Sequence, residues 1–265
     1  MIFAAGLSTR LKPLTDIMPK ALVRVQGVPL LDRVIGKLHA QGYGRFIINV
    51  HHFAQQIIDH VSQQDYAPMV HFSDESDRLL ETGGGLKKAA PLFLDDSPIL
   101  IHNVDILDNV DYDWFARQHQ ADEDAVLLVS RRKTKRYLLF DHAMRLMGWT
   151  NVETGEVKSP FPWLRNVELV IDDAYQVQVR FDSSLSSHYS PLDHKLYAFA
   201  FSGIHSFSPR LFTLMDRFPD CFPIMDFYLS TCHRAHIVGL PKDDLRLLDV
   251  GKLDTLAKAE EFVKS

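Results

Sequence analysis

The amino-acid sequence predicts an α/β fold, a Rossmann-like doubly wound mixed sheet flanked by helices, and three observations predict it. Short apolar runs alternate with stretches of helical periodicity from residue 1 to about residue 120. The runs "RFIINV" and "PILIHNVD" are apolar almost throughout, as strands buried on both faces are. The runs "PILIH" and "LRLL" lead to Asp105 and Asp249, where the carboxyl ends of strands face the ligand crevice of such a sheet.

The elements follow in order. "MIFAA" reads as a short strand, "PLLDRVIGKLHAQGY" as a helix ending near Gly42, and "RFIINV" as the next strand. "FAQQIIDHVSQQ" continues as a helix, "MVHFSD" as a strand, "GGLKKAAPLF" as a helix opening on glycines, and "PILIHNVD" as a buried strand. Helix "YDWFARQHQ", strand "DAVLLVS", the basic run "RRKTKR" and strand "YLLFD" come next. Residues 150–195 are rich in Ser, Asp and Pro and read as an irregular insertion, with a hairpin around "AYQVQVRFD", inside a single domain spanning residues 1–265. "LYAFAFSGIHSF" resumes as a strand, and "SPRLFTLMDRF" reads as a helix with Ser208 as N-cap and Pro209 at its first position. "LRLLDVG" is a last strand before the helix "LDTLAKAEEFVKS".

Bulk properties narrow the function. The chain has 265 residues, 46% of them hydrophobic and 24% charged, enough for a sizeable core. A formal charge of −5 argues against general nucleic-acid binding and against attraction to an anionic membrane. No run approaches the length of a membrane span, and the first residues lack the pattern of a secretory leader, so the reading is cytoplasmic. Cys221 and Cys232 form no CxxC pattern, which points to reduced thiols and away from a disulfide framework. His233 and His236 suit one helical face but have no third zinc ligand beside them. "RRKTKR" reads as a solvated edge or an anion contact.

The opening stretch "MIFAAGLSTRLKPLTDIMPKALV" carries the chemistry. A strand running into Gly6 and small residues exposes consecutive backbone N–H groups, which is how a chain cradles phosphate oxygens. Arg10 and Lys20 add positive charge. The stretch contains neither GxxxxGK[ST] nor GxGxxG, so it is neither a Walker A loop nor the dinucleotide fingerprint.

"AAGLSTRLKPLTDIMPKAL" resembles the signature of the sugar-1-phosphate nucleotidyltransferases, and the resemblance continues through "LETGGGLKKA", "NVDIL", "FSGIHSFSPRLF" and "LLDVGKLDTLAKAE". Within that family "ETGGG" and the compact length are most similar to N-acetylmuramate-1-phosphate uridylyltransferases and to mannose-1-phosphate guanylyltransferase-like members. The resemblance implies the nucleotide-diphospho-sugar transferase type of fold. It also implies a reaction in which a sugar 1-phosphate attacks the α-phosphorus of a nucleoside triphosphate, UTP or GTP, releasing pyrophosphate. Ala5, Gly6, Leu7, Ser8 and Thr9 would wrap the triphosphate, with Glu81, Gly83, Gly84 and Asn103 completing the nucleotide site. Arg10 and Lys20 would be catalytic, Asp105 and Asp249 would hold Mg²⁺, and Leu138 and Gly203 would face the sugar.

Two departures accompany the likeness. Ser8 stands where the family usually has glycine, and only "EVKSPFP" occupies the place of a Glu-Lys-Pro element common in hexose-phosphate relatives. If the backbone at Ser8 has negative φ, the hydroxyl fits and donates to the ligand, which is the expectation taken here. Relatives also carry a few more residues before "IFAAG", so a native start upstream of Met1 is expected. Two other classes fit part of the pattern: a nucleotide-sugar-dependent glycosyltransferase, because "NVD" resembles a DxD metal motif, and a non-catalytic sugar-nucleotide sensor.

Overall fold

The computed structural model describes residues 1–7, 9–165, 167–180 and 195–264. The chain opens with β1 (Ile2–Phe3) and a series of single 3-10 turns, then makes a small hairpin from β2 (Arg24–Val25) and β3 (Val28–Pro29). Gln26 and Gly27 link those strands with φ of 49° and 76°, the positive pair that a two-residue turn matched to strand twist requires. Helix α1 (Leu30–Ala40), β4 (Phe46–Val50), α2 (Ala54–Ser62), β5 (Val70–Asp74), α3 (Glu81–Ala89) and β6 (Ile99–Asn103) follow. The four strands lie in the order β5-β4-β1-β6, all parallel, with β1 at the centre.

The second half makes the sheet mixed. After β7 (Ile106–Asp108), α4 (Tyr112–Arg117), β8 (Ala125–Ser130), β9 (Arg136–Phe140) and β10 (Leu146–Asn151) come three strands inside the Ser-, Asp- and Pro-rich stretch. These are β11 (Glu156–Lys158), β12 (Glu168–Ile171) and β13 (Gln176–Arg180), so the described part of 150–195 is more regular than its composition suggests. Alternating Val177 and Val179 against Leu169 and Ile171 give the β12/β13 pair an apolar face, which packs with Tyr137 and Leu196. The long β14 (Leu196–Phe207) runs antiparallel to β6, β8, β9 and β13 and so joins both halves.

The chain closes through α5 (Phe212–Met215), α6 (Ile224–Thr231), β15 (Ile237–Pro241), β16 (Leu247–Asp249) and α7 (Leu253–Phe262). The sequence reading missed α6 and β15. It also drew one helix over "SPRLFTLMDRF", where a 3-10 turn at Pro209–Leu211 precedes the four-residue α5. Ser208 does stand before that turn, but its hydroxyl accepts from Arg210 Nε at 3.2 Å and caps no backbone N–H.

Alternation along the strands divides the core into two layers. Ile2, Phe46, Ile48, Val126 and Leu128 pack with α1, α2 and α4, while Phe3, Ile101, Leu127 and Val129 pack with α3, α5 and α6. The central strands therefore read as apolar without a break because both faces are covered. No helix of the described residues is long and apolar enough to cross a membrane.

Candidate active site

The site gathers at the carboxyl ends of β1 and β6. Ala4 and Ala5 are buried between neighbouring strands, and Ala4 N–H donates to Asn49 Oδ1 at 2.8 Å. Gly6, Leu7, Thr9 and Arg10 are exposed, and a single 3-10 turn at Thr9–Leu11 turns Leu11 into the core while Arg10 faces out. The loop thus offers backbone to the crevice from a rigid, buried start. Ser8 lies outside the described residues, and so does the expectation for its φ.

Lys20 is only 6% exposed, and a buried ammonium needs carboxylate partners. Its Nζ pairs with Asp105 Oδ2 and stands 3.9 Å from Asp249 Oδ1. The topology makes this meeting. Strands β7 and β16 pair antiparallel with Asp249 opposite Ile106, and Val250 N–H donates to the Asp105 carbonyl at 2.8 Å. Gly251 lies beside two of these side chains, a Cβ there standing 2.6 Å from Asp249 Oδ1 and 3.1 Å from Arg10 Nη2. Arg10, Lys20, Asp105 and Asp249, far apart in sequence, therefore form one cluster.

In the cluster two carboxylates share the charge of one buried ammonium. Burial and then the neighbouring Asp105 raise the pKa of Asp249, while Lys20, Arg10 and Arg132 oppose the rise. Two hard-oxygen carboxylates that repel each other, with an ammonium between them, fit a magnesium ion. Among the described residues no group of three or more His, Cys, Asp and Glu could hold a metal, so any dication here would complete its shell with water and phosphate oxygens.

The remaining predicted residues divide. Glu81 is exposed at the first position of α3 with φ of 61°. Gly83 and Gly84 instead face the segment before α6: both N–H groups donate to the Phe222 carbonyl at 2.8 and 3.1 Å, and a Cβ on Gly84 would lie 1.9 Å from Asp220 O. Their backbone amides are occupied by close packing, which is what these two glycines serve. Asn103 and Gly203 meet: Gly203 has φ of 80° beside a register shift in β14, and a Cβ there would stand 2.8 Å from Asn103 Nδ2. Leu138 is a correction. It is 2% exposed and packed in the main core between β10 and β14, so its side chain is turned away from any sugar.

Three residues escaped the sequence reading. Asn49 Nδ2 donates to Glu75 Oε1 at 2.8 Å, and Glu75 Oε2 accepts from Leu80 N–H at 3.1 Å. This buried relay ties the start of the opening loop to the start of α3. An amide inside the apolar run "FIINV" was a usable signal for Asn49, whereas Glu75 was lost within the acidic run "SDESD". Arg132, from the basic run, donates to the Phe201 carbonyl at 2.9 Å; burial lowers its pKa against the field of Asp249.

Comparison with known proteins places this fold in a class. The MobA-like NTP transferase domain matches residues 1–155, and the chain belongs to that family. It is similar to the N-acetylmuramate α-1-phosphate uridylyltransferases of Caulobacter vibrioides, 42% identical over 40% of this chain and 44% of the relative, and of Neisseria meningitidis serogroup B, 37% identical over 42% and 48%. The chain thus spans about half the length of these curated relatives. Among solved structures, HddC from Yersinia pseudotuberculosis shares the fold with a TM-score of 0.62 at 23% identity, covering 98% of this chain and 96% of that one. The inositol-1-phosphate CTP transferase of T. maritima shares it with a TM-score of 0.67 at 13% identity, covering 99% and 93%.

Proposed function

We propose that residues 1–265 act as one sugar-1-phosphate nucleotidyltransferase domain, with 150–195 as an insertion, joining a sugar 1-phosphate to a nucleoside triphosphate. The observation that carries this is the cluster of Lys20, Asp105 and Asp249 beside Arg10 at the mouth of the opening loop. The first reading of the substrates is UTP and N-acetylmuramate 1-phosphate or a similar sugar, supported by the uridylyltransferases to which the chain is similar.

In the proposed reaction an oxygen of the sugar phosphate attacks the α-phosphorus in line, the bond to the β-phosphate breaks, and pyrophosphate leaves. No covalent enzyme intermediate is required, so the protein's work is positioning and charge neutralisation. The loop from Ala5 to Thr9 holds the triphosphate, Arg10 stabilises the departing pyrophosphate and Lys20 holds the phosphates near the reacting centre. Asp105 and Asp249 would hold Mg²⁺, which when bound neutralises charge on the phosphates. On the sugar side, the Gly203 bulge lets backbone approach closely beside Asn103, and Arg132 adds positive charge near Asp249.

A second reading is guanylyl transfer to mannose 1-phosphate, favoured by a mannose-1-phosphate guanyltransferase of Aspergillus oryzae that is 27% identical over 54% of this chain. Glu81 does not choose between bases, because a carboxylate accepts from guanine or uracil alike. Pyrophosphate release with Mg²⁺, crossing UTP and GTP against the two sugar phosphates, separates the readings. The first predicts UTP with N-acetylmuramate 1-phosphate as the fastest pair. GTP with mannose 1-phosphate as the fastest pair moves the assignment to the second, and no turnover with any pair in a wider panel overturns both.

A further inference from the structure

The basic run at residues 131–136 leaves β8 at the same edge of the sheet as Asp105. Strands β6 and β8 both run antiparallel to β14, so they are parallel to each other and their carboxyl ends lie together. The cations of the run divide there. Arg131 pairs with Asp243 at 2.7 Å and Lys135 with Glu153 at 2.7 Å, both at the surface. Arg132 turns back over the sheet instead, and its Nη2 donates to the Phe201 carbonyl at 2.9 Å. Among the described residues its side chain makes no other hydrogen bond and no ion pair, so most of the guanidinium's N–H donors are uncommitted.

The anchor lies beside the cleft. Phe201 stands just before Gly203, where β14 shifts register against β8 and where a Cβ would lie 2.8 Å from Asn103 Nδ2 and 3.4 Å from Ile106 Cγ1. Asp105 sits between Asn103 and Ile106 in the chain. Asp249 feels the charge of Arg132 together with the charges of Lys20 and Arg10. Across the sheet the order is β1, β6, β14, so Arg132 reaches the carboxylate pair from the β14 side, and Arg10, which follows β1, reaches it from the other.

Nucleotidyl transfer brings two phosphate-bearing substrates together. In-line attack sets the incoming phosphate oxygen and the departing pyrophosphate on opposite sides of the α-phosphorus, so each needs a cation of its own. Lys20 is already shared between two carboxylates, and Arg10 stands at the opening loop. A guanidinium with uncommitted donors matches the paired oxygens of a phosphate better than an ammonium does.

We propose that Arg132 binds the sugar 1-phosphate, its guanidinium fork on the phosphate that attacks, across the cleft from the Arg10 that holds the pyrophosphate. The assignment rests on the transferase reading and adds to it which arginine takes which substrate. The bond to Phe201 fixes the guanidinium beside the Gly203 bulge, where the sugar's attached phosphate meets backbone that can approach closely.

Calorimetric titration of the full chain tests it, with Mg²⁺ and a UTP or GTP analogue whose α–β bridge cannot be cleaved, so that binding is read without turnover. The probes are N-acetylmuramate 1-phosphate and mannose 1-phosphate. Arg132→Met, which keeps the side chain's bulk and drops its charge, should raise the dissociation constant of the sugar phosphate at least about tenfold, the scale of a lost charge-assisted pair, and leave the nucleotide analogue's within about twofold. Arg132→Lys keeps the charge without the fork and should fall between wild type and Arg132→Met. An unchanged sugar-phosphate constant in Arg132→Met, a nucleotide constant raised as much, or a wild type that binds neither probe overturns the proposal. A wild type that binds a sugar phosphate through Arg132 yet releases no pyrophosphate with UTP or GTP would count against the transferase reading only.

Discussion

Asn49 donates its side-chain amide to Oε1 of Glu75 at 2.8 Å, although each residue is essentially sealed from solvent inside the parallel half of the sheet. Through this pair the backbone of Ala4, at the root of the opening loop, is fixed to Leu80, at the start of α3. Burial raises the pKa of Glu75, and the hydrogen bonds from Asn49 and Leu80 oppose that rise. Glu75→Ala strands the Asn49 amide and the Leu80 N–H in the interior. It should cost about 1–3 kcal/mol in urea unfolding for each group left unsatisfied, with loop 4–10 exchanging its amides faster. Unchanged stability would show that water replaces the carboxylate.

Gly84 is held against the Asp220 carbonyl so closely that a Cβ would lie 1.9 Å from its oxygen. Gly84→Ala is therefore expected to destabilise by about 3 kcal/mol or more, because backbone on both sides must move. Gly36→Ala is the control: nothing lies within 4 Å of a Cβ there and the site is mid-helix, so it should be neutral or stabilising. Equal midpoints for the two variants in thermal melts would contradict the packing account of the glycine run.

Gly203→Ala meets two obstacles, the φ of 80° and Asn103 Nδ2 at 2.8 Å. The backbone term alone is about 1–2 kcal/mol. Displacing Asn103 should also lower turnover more than stability, so activity per folded molecule is the quantity to measure. A variant with full specific activity would remove Gly203 from the sugar side of the site and Asn103 from the nucleotide side.

His205 is buried with Nδ1 2.7 Å from the Tyr228 hydroxyl, and burial lowers its pKa from 6.5 to about 3. Below pH 6.5 the unfolded chain binds a proton that the folded chain refuses until about pH 3, so this group's contribution to stability is complete above pH 6.5 and falls with pH through that window. The fall is at most about 1.4 kcal/mol per pH unit. His205→Gln should flatten the decline in urea midpoint between pH 6.5 and 4 relative to wild type. Parallel curves would show that His205 titrates alike in both states.

Much of this was legible in the chain. The parallel half could be read because "RFIINV" and "PILIHNVD" are strands covered on both faces and the helices between them keep their 3.6-residue period. Asp105 and Asp249 could be read because each follows an apolar run, but their meeting depends on the β7/β16 pairing, which no local pattern announces. Leu138 was misplaced because a likeness of motif gives a position along a strand and not the face on which its side chain lies. The glycines of "ETGGG" suggested a ligand, since absence of a side chain reads the same whether backbone approaches a base or the Phe222 carbonyl. The hairpin expected around "AYQVQVRFD" is the β12/β13 pair, whereas β11 hid in a polar stretch because only one face of it is covered.

The central claim is that nucleotidyl transfer takes place where Lys20 bridges Asp105 and Asp249. The most direct test is the rate of pyrophosphate release with Mg²⁺, UTP and N-acetylmuramate 1-phosphate, for wild type and Asp105→Ala, alongside a thermal melt of each. The account predicts one nucleotide diphosphate sugar per pyrophosphate in the wild type and a loss of at least about a thousandfold in a folded Asp105→Ala variant, the scale of removing preorganised charge stabilisation. A folded variant that turns over at the wild-type rate would contradict it.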